Sequence, residues 1–319
     1  MGTLLEVKDL RIYYRSVWGE YKVVDGVSLS VMEGELFGIA GESGCGKSTL
    51  VEGILRLIKP PGYVAGGEVW FKGVNLLELD EEEFRRLRWK EISYIPQGSM
   101  NSLNPVLRIE DQMVDAVTAH EDLTEEEARG LAREYLRKVG LPAEVARMYP
   151  HELSGGMKQR VIIAMAMLLR PSLVVADEPV TALDVVVQRS ILQLIGSLKE
   201  DYGITVIYVA HDLATHAELV DRMAIMYAGK VMEVGSVYDI FLDPLHPYTR
   251  ALIESVPSPG KRRIRGIPGV APSPLNWPPG CRFHTRCPLA MPVCREVEPE
   301  LREVGKGRYV ACHLYGGGA

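Results

Sequence analysis

Gly41-Glu-Ser-Gly-Cys-Gly-Lys47-Ser48-Thr49 follows the apolar run Leu36–Ala40, and a helix is predicted from Lys47 to about Leu57. The spacing Gly-x4-Gly-Lys-Ser is the phosphate-loop pattern, and it stands where that pattern requires, after a buried strand and before a helix. Glycines let the backbone curl, so that successive N–H groups face phosphate oxygens. The stretch therefore predicts a nucleotide site in an α/β protein.

The residues of this loop have different predicted tasks. Lys47 supplies a positive charge for the β- and γ-phosphates, and Ser48 supplies a hydroxyl for Mg²⁺. We interpret Cys45 as a spacer that contributes its backbone N–H. The predicted nucleotide-binding residues of the loop are Gly41, Ser43, Gly44, Cys45, Gly46, Lys47, Ser48 and Thr49.

A second apolar run ends in two acidic residues. Leu173–Ala176 is followed directly by Asp177 and Glu178. In α/β folds ligands bind at the carboxyl ends of strands, so Asp177 can hold Mg²⁺ or its water. Glu178 can then face the γ-phosphate and polarise the attacking water. This pair predicts that the nucleotide is hydrolysed.

Outside these motifs the chain alternates predicted strands and helices, which indicates an α/β core with a largely parallel sheet. Capping-box signatures at Asp80 and Thr124 each predict the start of a helix. Residues 4–40 alternate apolar and polar residues and are predicted to form short strands. The other predicted elements are a strand over 68–71, a helix from Ser154 to Leu169, a helix over about 185–199 and a strand over 204–210.

Length and composition limit the classes of protein that fit. The 319 residues suffice for about two domains. A net charge of −6 argues against a nucleic-acid surface, which is usually basic. The longest apolar run, 161–169, is nine residues, whereas a bilayer span needs about 20. We expect no secretory signal, because Glu6 lies where such a signal is apolar.

Leu153-Ser-Gly-Gly-Met157 begins a predicted helix, whose free N–H groups and positive dipole end suit an anion. The chain's own phosphates already have a cradle at 41–49, so a second cradle suits the nucleotide of a partner. With these motifs in this order, the chain resembles the nucleotide-binding subunits of ATP-binding-cassette transporters over about residues 4–240. It departs from the commonest signature at Met157, where Gln is usual.

The resemblance implies a P-loop NTPase (RecA-like) core with an antiparallel β subdomain and a helical signature subdomain. It implies that Tyr14 stacks on adenine, with the neighbouring Tyr13 as the alternative, and that Gln97 senses the γ-phosphate. His211 would contact the γ-phosphate, and Asp184 would lie in a loop that crosses the dimer interface. The implied site has Glu178, His211, Gln97 and Lys47 as catalytic residues, Tyr14, Ser154, Gly155, Gly156 and Asp184 as further nucleotide-binding residues, and Ser48, Gln97 and Asp177 for Mg²⁺.

Four of the five cysteines fall within about the last 40 residues: Cys281, Cys287, Cys294 and Cys312. Because we expect a reducing compartment, a metal site is favoured over disulfides. The spacing matches neither zinc-finger pairs nor the ferredoxin run. It leaves zinc and an iron–sulfur cluster open, with His284 and His313 as spare ligands.

The residues around these cysteines are more specific. His246-Pro-Tyr-Thr-Arg250, Ile267-Pro-Gly269 and Gly280-Cys-Arg-Phe-His-x-Arg-Cys287 resemble the C-terminal extension of oligopeptide/dipeptide-importer ATPases. The resemblance implies a [4Fe–4S] cluster on the four cysteines. Such a cluster would hold together the proline-rich stretch 244–299, which is not expected to build a regular helix or sheet alone. The resemblance also divides the chain into a cassette, 1–243, and a Cys-rich extension, 244–319.

The resemblance implies an ATPase that sits peripherally on the cytoplasmic face of the plasma membrane and powers the import of oligopeptides or dipeptides. The implied partners are a second, related but different ATPase subunit, two transmembrane permease subunits and an extracellular substrate-binding protein, without nucleic acid. Oligosaccharides or nickel are alternative cargoes. A redox-regulated ATPase with the tail as its sensor is the alternative from another class.

Overall fold

The computed structural model describes residues 2–256 and 266–316, so residues 257–265 of the proline-rich stretch lie outside the described residues. The strands in the described ranges are β1 (Thr3–Ser16), β2 (Gly19–Met32), β3 (Leu36–Ala40), β4 (Gly62–Phe71), β5 (Val74–Asn75), β6 (Ile92–Ile95), β7 (Leu173–Asp177), β8 (Thr205–Val209), β9 (Arg222–Tyr227), β10 (Lys230–Ser236), β11 (Arg302–Gly305) and β12 (Arg308–Val310). The helices are α1 (Lys47–Ile54), α2 (Glu81–Leu87), α3 (Ile109–Thr118), α4 (Glu125–Lys138), α5 (Gly155–Met167), α6 (Val185–Tyr202), α7 (Leu213–Leu219), α8 (Val237–Leu242) and α9 (Pro247–Glu254).

The chain divides into two compact units. The first unit comprises Met1–Glu78 and Val209–Ala319, and the second comprises Leu79–Tyr208. The first unit contains an antiparallel sheet in the order β2-β1-β4-β5. It also contains β3, which pairs in parallel with β9, and the antiparallel series β9-β10-β12-β11. The predicted α/β class is confirmed.

The alternating N-terminal segment forms one long hairpin, so the prediction of several short strands was wrong. β1 and β2 are 14 residues each and pair from Thr3 opposite Met32 to Ser16 opposite Gly19. The register shifts near Asp9 and Gly26, which have φ angles of 47° and 79°. These irregularities are β-bulges, which interrupt the alternation of side chains without ending the strands.

Two further boundaries in the first unit differ from the prediction. Helix α1 begins at Lys47 as predicted and ends at Ile54, since Arg56 has a φ of 54° and cannot continue the helix. Strand β4 was predicted over 68–71 and begins six residues earlier, at Gly62. Its pairing with β1 extends the strand over a glycine-rich segment that has low intrinsic strand preference.

In the second unit both predicted capping boxes are confirmed. The side chain of Asp80 accepts a hydrogen bond from the backbone N–H of Glu83 at 2.8 Å, where α2 begins. Thr124 and Glu127 form the same reciprocal pair at the start of α4. Helix α5 ends two residues before the predicted Leu169, whereas α6 continues past the predicted 199 to Tyr202, where Gly203 ends it in the left-handed conformation.

Parallel pairing in the second unit aligns the ends of two strands. Within this unit the order is β8-β7-β6, and Ile95 of β6 lies opposite Ala176 of β7. Every residue of β7 and β8 is buried, as expected for parallel strands covered on both faces. The residues that follow β6 and β7 therefore emerge at the same edge.

The C-terminal region of the first unit is more regular than predicted. Helix α9 begins at Pro247, where a missing N–H costs nothing, and Nδ1 of His246 accepts a hydrogen bond from the N–H of Tyr248 at 3.0 Å. Strand β12 pairs with β10, with Val310 opposite Glu233. The fully buried carboxylate of Glu233 accepts hydrogen bonds from the N–H groups of Leu245 and His246, both at 2.9 Å.

None of the helices within 2–256 and 266–316 combines the length and the apolar character that crossing a membrane would require.

Candidate nucleotide-binding site

The phosphate loop joins β3 to α1 in the first unit. Gly41 has a φ of 152°, and a Cβ built there would lie 2.1 Å from the carbonyl oxygen of Met226. Gly46 has a φ of 104°, and a Cβ there would lie 2.6 Å from the carbonyl oxygen of Val23. Any side chain at either position would displace backbone, so these two glycines are required by the close approach of neighbouring strands.

Lys47 lies across the inside of this loop. Its Nζ donates hydrogen bonds to the carbonyl oxygens of Gly41 at 2.9 Å and Glu42 at 3.1 Å, and the residue is 6% exposed. Burial raises the pKa of the neighbouring Cys45 thiol, although the positive charge of Lys47 opposes the shift. A neutral, buried Cys45 fits the predicted spacer role. Ser43 and Gly44 are exposed at the tip of the loop, and Ser48 and Thr49 are half-buried.

The two adjacent tyrosines of β1 have different environments. The hydroxyl of Tyr13 donates a hydrogen bond to Asp25 at 2.6 Å, and burial together with this bond raises the pKa of Tyr13. The ring of Tyr14 is half-buried and lies so close to Gly62 that a Cβ there would be 2.6 Å from its Cε1. Tyr13 is thus held by a structural partner, which favours the predicted choice of Tyr14 for adenine stacking.

Two histidines follow β8, and burial distinguishes them. His211 is exposed and lies two residues after the end of β8. His216 is fully buried in α7, with its Nδ1 3.0 Å from the carbonyl oxygen of Asp212. Burial lowers the pKa of His216 to about 4, so this side chain is neutral at physiological pH. Only His211 has the accessibility that contact with a phosphate needs.

In the second unit two of the four predicted catalytic residues, Gln97 and Glu178, meet at the ends of β6 and β7. Nε2 of Gln97 donates a hydrogen bond to Oε2 of Glu178 at 2.8 Å. The hydroxyl of Thr181, a residue that the sequence analysis did not single out, donates to the same oxygen at 3.0 Å. Asp177 is the last residue of β7 and is 1% exposed. Gln97, Asp177 and Glu178 therefore lie together at the ends of two neighbouring parallel strands.

The signature segment begins α5 in this same unit. Ser154 is the N-cap of the helix and accepts a hydrogen bond from the N–H of Met157 at 3.3 Å. Ser154 and Gly155 are exposed, whereas Gly156 is half-buried and lies so close to α6 that a Cβ there would be 2.8 Å from Cγ1 of Val187. The exposed N-terminus of a 13-residue helix presents N–H groups and a partial positive charge to solvent.

Asp184 has a structural task that the sequence analysis did not foresee. Its Oδ1 accepts hydrogen bonds from the N–H groups of Val186 at 3.1 Å and Val187 at 3.0 Å, so that it caps α6. The next two side chains, Val185 and Val186, are about four-fifths exposed. The capped helix end is thus an apolar, solvent-facing corner, and the role of Asp184 towards a nucleotide stays a prediction.

These sites carry the sequence features of a known family. A family model described as "ABC transporter" matches residues 24–181. A second, described as "Oligopeptide/dipeptide transporter, C-terminal region", matches residues 232–294. The dipeptide transport ATP-binding protein DppD of Caldanaerobacter subterraneus is 44% identical to this chain, over 99% of this chain and 98% of that protein. The chain belongs to the ATP-binding subunits of oligopeptide/dipeptide ABC transporters.

Other similarities agree with membership of this ABC transporter family. The oligopeptide transport ATP-binding protein AppF of Bacillus subtilis is 42% identical, with 98% of each chain covered. Among solved structures, the dimeric MJ0796, a bacterial ABC transporter cassette, matches 73% of this chain and 98% of its own, with 31% identity and a TM-score of 0.66. As an ABC ATPase subunit, the chain hydrolyses ATP, with Mg²⁺, in support of transport.

The four C-terminal cysteines lie near one another in the first unit. The N–H of Cys281 donates to the carbonyl oxygen of Cys294 at 2.8 Å. Burial, together with the proximity of the other three thiols, raises the pKa of Cys281 to about 11. Across the described residues, however, no three His, Cys, Asp or Glu side chains converge closely enough to hold a metal ion. The predicted iron–sulfur site is not formed in this geometry.

Glu42, Tyr248 and Arg286 were not predicted as residues of this site. All three meet at the phosphate loop, where Tyr248 and Arg286 both form hydrogen bonds with Glu42. Arg286 is 244 positions from Glu42, and no local pattern links the two. The sequence offered one signal for this pair: the phosphate loop and the Gly280–Cys287 motif each contain a charged residue, Glu42 and Arg286, without an assigned role.

Proposed function

We propose that this subunit binds and hydrolyses Mg-ATP at an interface between two cassettes and thereby powers the import of oligopeptides or dipeptides. The observation that carries the catalytic part is the pairing of Gln97 with Glu178 beside the buried Asp177. An amide and two carboxylates at one strand edge supply a Mg²⁺ ligand, a base and a sensor of phosphate. The peptide cargo is proposed because relatives of matching length are named dipeptide and oligopeptide transport proteins.

The proposed roles follow from the chemistry of each group. Lys47 neutralises the β- and γ-phosphates while the loop N–H groups bind their oxygens. Ser48, Gln97 and Asp177 hold Mg²⁺. Glu178 accepts a proton from the attacking water, and His211 contacts the γ-phosphate. Little covalent chemistry is needed, because positioning and electrostatic stabilisation lower the barrier.

We propose that two cassettes close head to tail around two ATP molecules. Each ATP would lie between the phosphate loop of one cassette and the Ser154–Gly156 segment of the other. The exposed N-terminus of α5 supports this arrangement, because the free N–H groups and the dipole of a helix N-terminus favour an anion. Binding of ATP would close the pair, and hydrolysis with release of phosphate would open it.

The proposed partners are a second, related but different ATPase subunit, two transmembrane permease subunits and an extracellular substrate-binding protein. The subunit would then lie peripherally on the cytoplasmic face of the plasma membrane. We keep the proposed boundary between a cassette, 1–243, and an extension, 244–319. The second matched family model begins at residue 232, which supports a change of module in this region.

The cargo is tested with the complete complex, purified through this subunit and reconstituted in proteoliposomes. We expect Mg-ATP-dependent uptake of labelled di- to oligopeptides, and none of oligosaccharides or Ni²⁺. A catalytically impaired Glu178→Gln complex is the control for uptake that does not depend on hydrolysis. Uptake of sugar or nickel in place of peptide would replace the proposed cargo and leave the ATPase mechanism intact.

We also propose that Cys281, Cys287, Cys294 and Cys312 hold a [4Fe–4S] cluster with a structural role, and zinc is the alternative. Their mutual proximity and the Cys281–Cys294 backbone hydrogen bond support this proposal. Four thiolates suit either metal. Protein purified without oxygen should contain about four iron and four sulfide per chain. Colourless protein with stoichiometric zinc would reject the cluster.

One variant distinguishes a structural cluster from the alternative in which the tail is a redox sensor. Cys281→Ser should lower the thermal stability of the protein if the cluster is structural, because the segment loses a cross-link. A variant with normal stability and transport, but with no response of its ATPase activity to oxidants, would favour the sensor.

A further inference from the structure

The carboxylate of Glu42, the second residue of the phosphate loop, is bound by the C-terminal extension. Nη1 and Nη2 of Arg286 donate to its two oxygens at 2.7 and 2.9 Å, which is a bidentate pair. The side chain of Arg286 is 5% exposed and that of Glu42 is 26% exposed. This ion pair is therefore largely shielded from water, so its loss has a greater effect than loss of a surface pair.

Arg286 is held rigidly by other parts of the same unit. Its Nε donates to the carbonyl oxygen of Pro268 at 2.8 Å, and Nη2 also donates to that of Ile267 at 3.2 Å. Nη1 donates to the hydroxyl of Tyr227 at 3.2 Å. With these partners the guanidinium has a fixed orientation before any nucleotide binds, and the hydrogen bond to Glu42 raises its pKa.

The backbone of Glu42 is bound as well. Its N–H donates a hydrogen bond to the hydroxyl oxygen of Tyr248 at 2.9 Å. Tyr248 is fully buried, and its ring centroid lies 4.6 Å from that of Tyr227 and 5.3 Å from that of Phe283. Helix α9 and the segment around Arg286 thus fix the main chain and the side chain of one loop residue from two directions.

Glu42 is in turn in direct contact with the residue that binds phosphate. Its carbonyl oxygen accepts hydrogen bonds from Nζ of Lys47 at 3.1 Å and from the N–H of Cys45 at 3.3 Å. A shift of Glu42 would therefore move the Lys47 ammonium and a loop N–H group. In addition, an unneutralised carboxylate at this position would repel a polyanionic nucleotide.

We propose that Arg286 and Tyr248 are positioning residues for nucleotide binding, which act through Glu42 to fix the phosphate loop and neutralise its one acidic side chain. The inference rests on the proposed role of residues 41–49 as the nucleotide cradle. It assigns to the extension a direct part in ATP affinity, besides its proposed metal site. Nothing in it depends on which cargo is transported.

The test is the affinity of the full-length chain for Mg-ADP, measured by titration calorimetry, since ADP binds without turnover. Arg286→Ala should weaken binding by about 10- to 100-fold, the effect of leaving a partly buried carboxylate unpaired. The affinity of Arg286→Lys should lie between those of wild type and Arg286→Ala, because lysine restores the positive charge but cannot form the bidentate pair. With the complete complex, the KM for ATP should rise by a similar factor while kcat changes by less than about threefold.

Two further variants separate positioning from a general loss of structure. Glu42→Gln combined with Arg286→Ala should recover most of the lost affinity, because no charge is then left unpaired. Tyr248→Phe, which keeps the ring packing, should weaken Mg-ADP binding by about three- to tenfold, in line with the loss of one hydrogen bond. If Arg286→Ala does not fold, Arg286→Lys and Tyr248→Phe carry the test.

Arg282 provides a matched control in the same segment. Its side chain is also 5% exposed and paired with a carboxylate, that of Asp25 on β2, and it lies 4.7 Å over the ring of Trp277. Arg282→Ala should lower stability but leave the affinity for Mg-ADP within about twofold, since neither Asp25 nor Ala228, whose carbonyl oxygen Arg282 also binds, belongs to the loop.

Three results would each overturn the proposal: unchanged affinity in both Arg286→Lys and Tyr248→Phe, equal weakening by Arg282→Ala, or no recovery in the double variant. A wild-type chain that does not bind Mg-ADP would instead refute the nucleotide cradle on which the proposal rests.

Discussion

Glu178→Gln is expected to bind Mg-ATP with near-normal affinity and to hydrolyse it about 10²- to 10⁴-fold more slowly, the range that a general base contributes. Glutamine has the shape of glutamate and retains an oxygen that can accept the hydrogen bonds now donated by Gln97 and Thr181. The substitution therefore removes basicity and charge while keeping the local geometry.

The backbone at this position makes the choice of substitution important. Glu178 has a φ of 48°, a left-handed conformation that costs a residue with a Cβ about 1–3 kcal/mol. A smaller residue such as alanine would lose both side-chain hydrogen bonds at once and could let this turn relax. Glutamine avoids that ambiguity.

Glu91→Gln is the matched control for this prediction. Glu91 also accepts a hydrogen bond from a hydroxyl, that of Ser172 at 2.6 Å, and Ser172 directly precedes β7 at the end opposite Glu178. Hydrolysis should be unchanged in Glu91→Gln. Steady-state phosphate release and Mg-ATP titration of both variants measure the effect. Hydrolysis near wild type in Glu178→Gln would exclude Glu178 as the base.

Gly155→Asp is expected to abolish ATP-dependent pairing of cassettes and to reduce hydrolysis by about 10³-fold, while the affinity of the chain's own loop for Mg-ATP stays normal. Two like charges 4 Å apart repel by about 4 kcal/mol at an effective dielectric constant of 20. A barrier raised by this amount corresponds to a rate lowered by about 10³-fold. The new carboxylate would occupy the first helical position of α5, where the partner's phosphate is proposed to bind.

Loss of folding is not expected to explain this result. An acidic side chain in the first turn of a helix is favourable by about 0.3–1 kcal/mol, because it complements the helix dipole. A Cβ at Gly155 would lie 3.4 Å from Leu183 Cδ2 and Met100 Sδ, which is ordinary contact. Gly155→Ala, with the same Cβ and no charge, is therefore the control and should still pair.

Pairing with the proposed second ATPase subunit is measured by sedimentation in the Glu178→Gln background with Mg-ATP, where hydrolysis does not separate the subunits. If Gly155→Asp pairs and hydrolyses normally, the signature segment does not receive a phosphate, and the head-to-tail arrangement is wrong. If it loses its own Mg-ATP affinity instead, the segment would serve the same chain.

Local interactions explain which parts of this fold could be predicted. The helix starts at Asp80 and Thr124 were predicted correctly because a capping box involves residues only three apart. The length of β4 and the continuity of the N-terminal hairpin depend on pairing with other strands, which the local pattern does not contain. The segment that forms α9 was not expected to be helical, because it belongs to a stretch rich in proline. One of these prolines, Pro247, occupies the first position of the helix, where proline is favourable.

The same distinction applies to the candidate site. Sequence motifs predicted the ends of β3 and β7, whereas the hydrogen bond between Gln97 and Glu178 depends on the parallel pairing of β6 with β7, which no local motif contains. They did not predict the ion pair between Arg286 and Glu42, because each residue alone resembles an ordinary surface charge. Only the tertiary structure brings these two together.

The pairing of β12 with β10 has a practical consequence for anyone who wishes to produce the cassette alone. A chain cut after residue 243 would expose the backbone N–H and C=O groups of β10 that β12 now covers, and the carboxylate of Glu233 would lose the two N–H groups that solvate it. Such an open strand edge recruits other chains. Truncates ending there should therefore precipitate or form inclusion bodies, and expression trials are better directed at the uncut polypeptide.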